Sequence, residues 1–65
     1  MKKPYYEKIA GLRRMYNISQ QRMADFLDMN LSTYQIKEKK GGFKCEQLII
    51  ICKIFETDAN TLLLD

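Results

Sequence analysis

Residues 18–38, ISQQRMADFLDMNLSTYQIKE, decide how this chain reads. Two helix starts lie within them. Ser19 and Asn30 carry short side chains that can accept from the free N–H groups of a first helical turn, so both suit N-caps. The spacing predicts one helix after Ser19 to about Leu27 and another after Asn30 to about Lys39, with Asp28 and Met29 as a tight turn between them. Met23, Ala24, Leu27, Met29 and Tyr34 form the inward set. Leu31, Ser32 and Gln35, with Ile36 beside them, form the outward set of the later helix. Small and amide-bearing residues on an exposed helix face, in a basic chain, are what reading the major groove of double-stranded DNA requires.

Upstream, Pro4 is tolerated in a first helical turn, and Ile9, Leu12 and either Met15 or Tyr16 recur at helical spacing. Gly11 lowers helix propensity by about 1 kcal/mol relative to Ala, or marks close packing. Asn17 suits the left-handed position that ends a helix. Arg22 stands where a capping box would want Glu or Gln, near the positive end of the helix dipole. That local cost is tolerable if Arg22 meets a DNA phosphate; the other reading is a plain exposed arginine.

Downstream, Gly41-Gly42 ends the third helix and Phe43 anchors the loop against the core. The fourth helix, Cys45 to about Phe55, is apolar almost all round. Leu48, Ile51, Cys52 and Phe55 suit the core, while Ile50 and Ile54 lie roughly 200–240° from Leu48 at ~100° per residue. An exposed Ile pair at this spacing indicates a partner surface, unless the C-terminal tail folds over it. Asp58 can cap a last short helix, Ala59 to Leu63, whose Leu62 and Leu63 close the core. Leu64 then joins the Ile50/Ile54 surface as a dimer interface.

Sixty-five residues make one domain, residues 1–65. A chain this short buries only about 60% of its unfolded surface, so a disulfide, a metal or a partner subunit is wanted. Cys45 and Cys52 sit seven apart in one helix, a span of roughly 10 Å against a limit near 7 Å for a bridge. They read as buried small hydrophobes in a reducing compartment. With no histidine and no CxxC pair, no metal site and no cofactor is expected. A partner subunit remains. The longest apolar run, Leu48 to Cys52, is far short of a membrane span, and the opening MKKP lacks the apolar core of a signal peptide. A cytoplasmic protein without a membrane partner is expected.

Eleven Lys and Arg against eight Asp and Glu give a net charge of +3. Lys37, Lys39, Lys40 and Lys44 cluster near the end of the third helix, whereas the last ten residues carry Glu56, Asp58 and Asp65 and no base. The positive end either faces phosphate or is a solvated lysine-rich loop. No catalytic residue stands out. There is no histidine and no phosphate-cradling Gly-rich loop, and nothing marks Asp25 and Asp28 as ligands, so the chain does not read as an enzyme.

Several short motifs recur in order. They are Leu12-Arg13, Ile18-Ser19-Gln20, Met23-Ala24 with Leu27, Ser32-Thr33-Tyr34, Glu38, and the set Leu48, Ile51, Cys52 and Phe55. Their order and spacing resemble the Cro/repressor-type (XRE-like) helix-turn-helix DNA-binding family, over about Ile9 to Leu63. The resemblance implies an all-α fold: a five-helix lambda-repressor-like DNA-binding domain with the helix-turn-helix at helices 2–3. It implies that Gln20 donates to a DNA phosphate and that Leu31, Ser32, Gln35 and Ile36 face base edges. Gln35 could then read adenine, and Leu31 or Ile36 could pack on a thymine methyl. Lys37, Lys39, Lys40 and Lys44, with Arg22, would hold phosphates, and Arg13 and Glu38 would form a structural ion pair. A homodimer would set two recognition helices about 34 Å apart on a near-palindromic operator, as a transcriptional regulator, in the simplest case a repressor. The alternative is a protein-interaction module such as an antitoxin or antirepressor, whose main partner is another protein. The chain departs from the family at five points, one being the short loop Lys40 to Lys44, which has no proline. The turn glycine is Asp28, the helix 4 cap is Lys44, the glycine after helix 4 is Glu56, and Ile36-Lys37 reverses the family's usual order before the closing Glu.

Overall fold

A computed structural model of the protein describes residues 3–63. They form α1 (Tyr5–Met15), α2 (Gln20–Phe26), α3 (Leu31–Lys40), α4 (Cys45–Ile54) and α5 (Ala59–Leu63), with no strand among the described residues. Leu64, expected at a dimer interface, lies outside them. None of these helices is long and apolar enough to cross a membrane.

Local chemistry explains where the helices start. Ser19 Oγ accepts from the Arg22 N–H at 3.1 Å, and Asp58 Oδ1 accepts from the Thr61 N–H at 2.7 Å. At α4 the cap runs in the other direction. Lys44 has no acceptor to offer, and its own N–H donates to Gln47 Oε1 at 2.8 Å. Asn30 occupies the N-cap position of α3 but makes no side-chain bond there.

Three of the helices stop in one way. Each ends in a Schellman motif, in which two N–H groups beyond the helix return to its last free carbonyls. Ile18 N–H reaches Arg13 O and Asn17 N–H reaches Arg14 O after α1. Met29 and Asp28 repeat the pattern on Ala24 O and Asp25 O after α2, and Thr57 and Glu56 repeat it on Cys52 O and Lys53 O after α4. The geometry demands a left-handed residue, and Asn17, Asp28 and Glu56 have φ of 58°, 55° and 52°. The motif thus survives at Asp28 and Glu56 without glycine, at some backbone strain. α3 ends on Gly41, φ 90°, where a Cβ would meet Tyr6 Cδ1 at 3.0 Å.

The core joins Ile9 of α1, Met23 and Ala24 of α2, Tyr34 of α3, Ile51 of α4 and Leu62 of α5, with Leu27, Phe43 and Phe55 from the connections. α3 packs against both α1 and α2, and α5 against both α1 and α4. Tyr34 lies edge-tilted to Phe43, which fixes the loop after α3.

Packing corrects several expectations. Of the two candidates for the end of the α1 stripe, Met15 is exposed and Tyr16, the C-cap residue, is partly exposed with its ring 5.2 Å from that of Phe55. Gly11 is exposed and a Cβ there would touch nothing within 4 Å, so close packing does not explain it. Cys45 is exposed rather than buried, and Cys52 is half-buried. Leu63 is exposed although Leu62 is buried. On α4, Ile54 is half-buried against the core, whereas Ile49, expected at the flank, is 56% exposed. Residues of the Ser19–Arg22 turn and Phe26 share a shallow cleft with Ile54, which packs against the core, so a helical wheel of α4 alone misplaces it.

Candidate functional site

α3 divides lengthwise. Tyr34 and Glu38 are buried, and Thr33 and Lys37 are half-buried. At ~100° per residue, Leu31, Gln35, Lys39, Ser32, Ile36 and Lys40 follow one another around the other half of the circumference. All of these are exposed except Leu31, which is half-buried, and Ile36 is 59% exposed. α1 and α2 hold the inner half and leave most of this outer half open to solvent, with Gln35 at its edge hydrogen-bonded to Gln20 of α2.

Beneath that face lies a polar network centred on Glu38, the one buried charged residue of the described chain. Arg13 Nε donates to Glu38 Oε2 at 2.9 Å and Arg13 Nη2 to Oε1 at 3.3 Å, so the two residues expected to pair do so in forked geometry. A third donor of the same guanidinium, Nη1, reaches Ile18 O at 3.0 Å. The Tyr34 hydroxyl donates to Oε2, and Gln20 Nε2 donates to Oε1 at 3.0 Å. Gln35 Nε2 in turn donates to Gln20 Oε1 at 3.1 Å. α1, α2 and α3 are thereby tied at one carboxylate.

The ionisation follows from these contacts. Burial alone would raise the Glu38 carboxyl, but the hydrogen bonds from Arg13, Tyr34 and Gln20, with the Arg13 charge, outweigh it and hold it below the usual carboxylate range. The hydrogen bond to Glu38 raises the Arg13 guanidinium against the opposing effect of burial. Burial, and then the bond to Glu38, push the Tyr34 phenol far up, so it stays a donor.

The cations near this face differ in their surroundings. Lys39 and Lys40 lie on the free half of α3, and Lys44 is exposed at the start of α4. Lys37, expected to hold phosphate with them, is instead half-buried and donates to Gly42 O at 2.8 Å, closing the loop after α3. Arg22 is exposed with its guanidinium 5.8 Å from the centre of the Phe26 ring, so its apolar neighbour steadies it on the surface of α2. Gln20, expected as a phosphate donor, gives one N–H to Glu38 and keeps a second. Sequence reasoning missed Arg14 and Lys3. Both line a polar cleft with Gln20, Gln35 and Lys39, although Glu7 also borders it. The signal for Arg14 was its offset of about 100° from the paired Arg13 along α1.

No protein-family model, no curated protein and no solved structure matches this chain. The reading of the site rests on its own chemistry.

Leu48, Ile49, Cys52, Leu62 and Leu63 line an apolar groove between α4 and α5. Among the described residues no group of histidine, cysteine and carboxylate side chains is placed to hold a metal ion.

Proposed function

We propose that the protein is a sequence-specific, double-stranded DNA-binding transcriptional regulator of the Cro/repressor (XRE-like) type, with α2 and α3 as its helix-turn-helix and α3 laid in the major groove. The observation that carries this reading is the free half of α3. A helix held on its inner side by two others exposes Ser32, Gln35, Ile36, Lys39 and Lys40 together. None of them is part of the core, only Gln35 has a hydrogen bond to another helix, and a large apolar residue among amide, hydroxyl and ammonium groups suits base edges and thymine methyls better than water. Lys39, Lys40 and Lys44 then take phosphates at one end and Arg22 at the other, and Arg14 extends the basic border. Backbone contacts set affinity and position; Gln35, Ser32 and Ile36 set sequence.

The same reading has two copies acting together on a near-palindromic operator as a repressor, joined through the exposed apolar residues Ile49, Ile50 and Leu63. Selection from random duplex DNA at two salt concentrations tests it. A near-palindrome with half-sites about one helical turn apart is expected. Recovery of duplexes without sequence preference would overturn it.

A second reading, a protein-interaction module such as an antitoxin or antirepressor, is favoured by the apolar groove between α4 and α5. Reversing charge with Lys39→Glu and Lys40→Glu separates the two. Regulatory activity is lost if DNA is the partner and retained if the groove does the binding.

A further inference from the structure

Glu38 is held as a carboxylate by Arg13, and a carboxylate only accepts. That constraint travels outward. Gln20, 3.0 Å from Glu38 Oε1, must turn its NH2 group toward Glu38, so its carbonyl oxygen faces away. Gln35, 3.1 Å from that oxygen, must in turn present its own NH2 group to Gln20. Neither amide can flip without setting two oxygens against each other. An exposed glutamine normally offers two N–H donors and one oxygen, and can present either two donors or a donor with an acceptor. Gln35 has one donor committed to Gln20. One N–H and the oxygen Oε1 remain for the free face of α3.

We propose that Gln20, anchored on Glu38, is a positioning residue that restricts Gln35 to a donor–acceptor pair and so makes it select adenine against guanine. Adenine presents N7 as acceptor and N6–H as donor in the major groove, which this pair matches. Guanine presents two acceptors, N7 and O6, and would need the donor that Gln20 has taken. The inference rests on the DNA-binding reading above and extends it. Specificity at this base comes from a residue on α2 that need not touch the base, and from the buried charge behind it.

The test uses the full chain and duplexes recovered by selection. Wild type should prefer adenine over guanine at one half-site position, by about five- to a hundredfold as for a bidentate base contact. Gln35→Ala should remove that preference. Gln20→Ala, a substitution at a half-buried position that leaves the Arg13–Glu38 pair in place, should bring the adenine-to-guanine ratio to within about threefold. Loss of a Gln20–phosphate contact would weaken every duplex alike and leave that ratio untouched. In the free protein, Gln20→Ala should also shift one Gln35 side-chain amide hydrogen in a 15N–1H spectrum.

A Gln20→Ala protein that keeps the wild-type ratio would overturn the relay while leaving DNA reading intact. So would a Gln35 amide unmoved by the substitution. Wild type that prefers guanine at the Gln35 position would overturn it as well. Wild type with no sequence preference would instead remove the DNA reading, and the relay's role with it. That failure is visible before any variant is made.

Discussion

At the scale of single residues, Glu38 carries the most consequence. Its carboxylate accepts from Arg13, Tyr34 and Gln20, so one charge orients α3 against α1 and α2. Its folded pKa lies below the unfolded value, and the linkage follows from that sign. Its contribution to stability is fully present above its unfolded pKa of ~4.3 and is lost as pH falls through the folded pKa. Asp58, held down chiefly by the Thr61 N–H, acts in the same direction. Thermal unfolding should therefore show a near-constant melting temperature from about pH 7 to pH 5 and a decline below that. Glu38→Gln should cost about 2–4 kcal/mol at neutral pH, because Arg13 is left part-buried without its counter-charge, and its melting temperature should fall less on acidification. A variant as acid-sensitive as wild type would show that other carboxylates control the transition. The pairing of Arg13 with Glu38 was legible only through the family resemblance. The parts played by Tyr34 and Gln20 were not legible, because they depend on how α1, α2 and α3 meet.

At the scale of elements, the helix limits were largely written in local chemistry. Ser19 and Asp58 cap, Gly41 terminates, and Asn17 takes a left-handed turn, each for reasons that involve only a few neighbouring residues. Asp28 and Glu56 do the same work at greater strain. Substituting glycine at Glu56 should raise stability by roughly 0.5–1 kcal/mol, the relief of a left-handed side chain less the added chain entropy. Gly11→Ala should stabilise by a similar ~0.5–1 kcal/mol, because the new methyl meets nothing and helix propensity rises. Each should appear as a rise of several degrees, at about 4–8 °C per kcal/mol for a domain of this size. Gly41→Ala should move the other way, with a positive φ and the Tyr6 ring in its path. If Gly11→Ala lowered the melting temperature, the exposed position of that glycine would need another reason.

At the scale of the molecule, the polar and apolar exposed surfaces sit on different elements. The free half of α3 is polar and basic, and the groove between α4 and α5 is apolar. If two copies meet across α4 and α5, Ile49→Asp should give monomers by sedimentation with little change in melting temperature, since Ile49 is more than half exposed. Ile54→Asp should instead destabilise the fold, since Ile54 packs against the core and a buried, unpaired charge is costly. An intact dimer in Ile49→Asp would move the interface to another face.

By itself the sequence determined the all-helical class, the number of helices and nearly all of their limits. Capping, left-handed residues and helical periodicity act within a few residues and need no knowledge of the rest. It also determined that Ser32, Gln35 and Ile36 would face outward, because Tyr34 and Glu38 share the opposite side of one short helix. Only the tertiary structure decided that Ile54 packs against the core while Ile49 stands exposed beside Ile50. Only it withdrew Lys37 into the loop after α3. It alone tied Gln35 through Gln20 to Glu38, a chain of hydrogen bonds between residues 15 and 18 positions apart. Burial and long-range hydrogen bonding depend on what other helices bring to a surface, and no helix carries that information in its own periodicity.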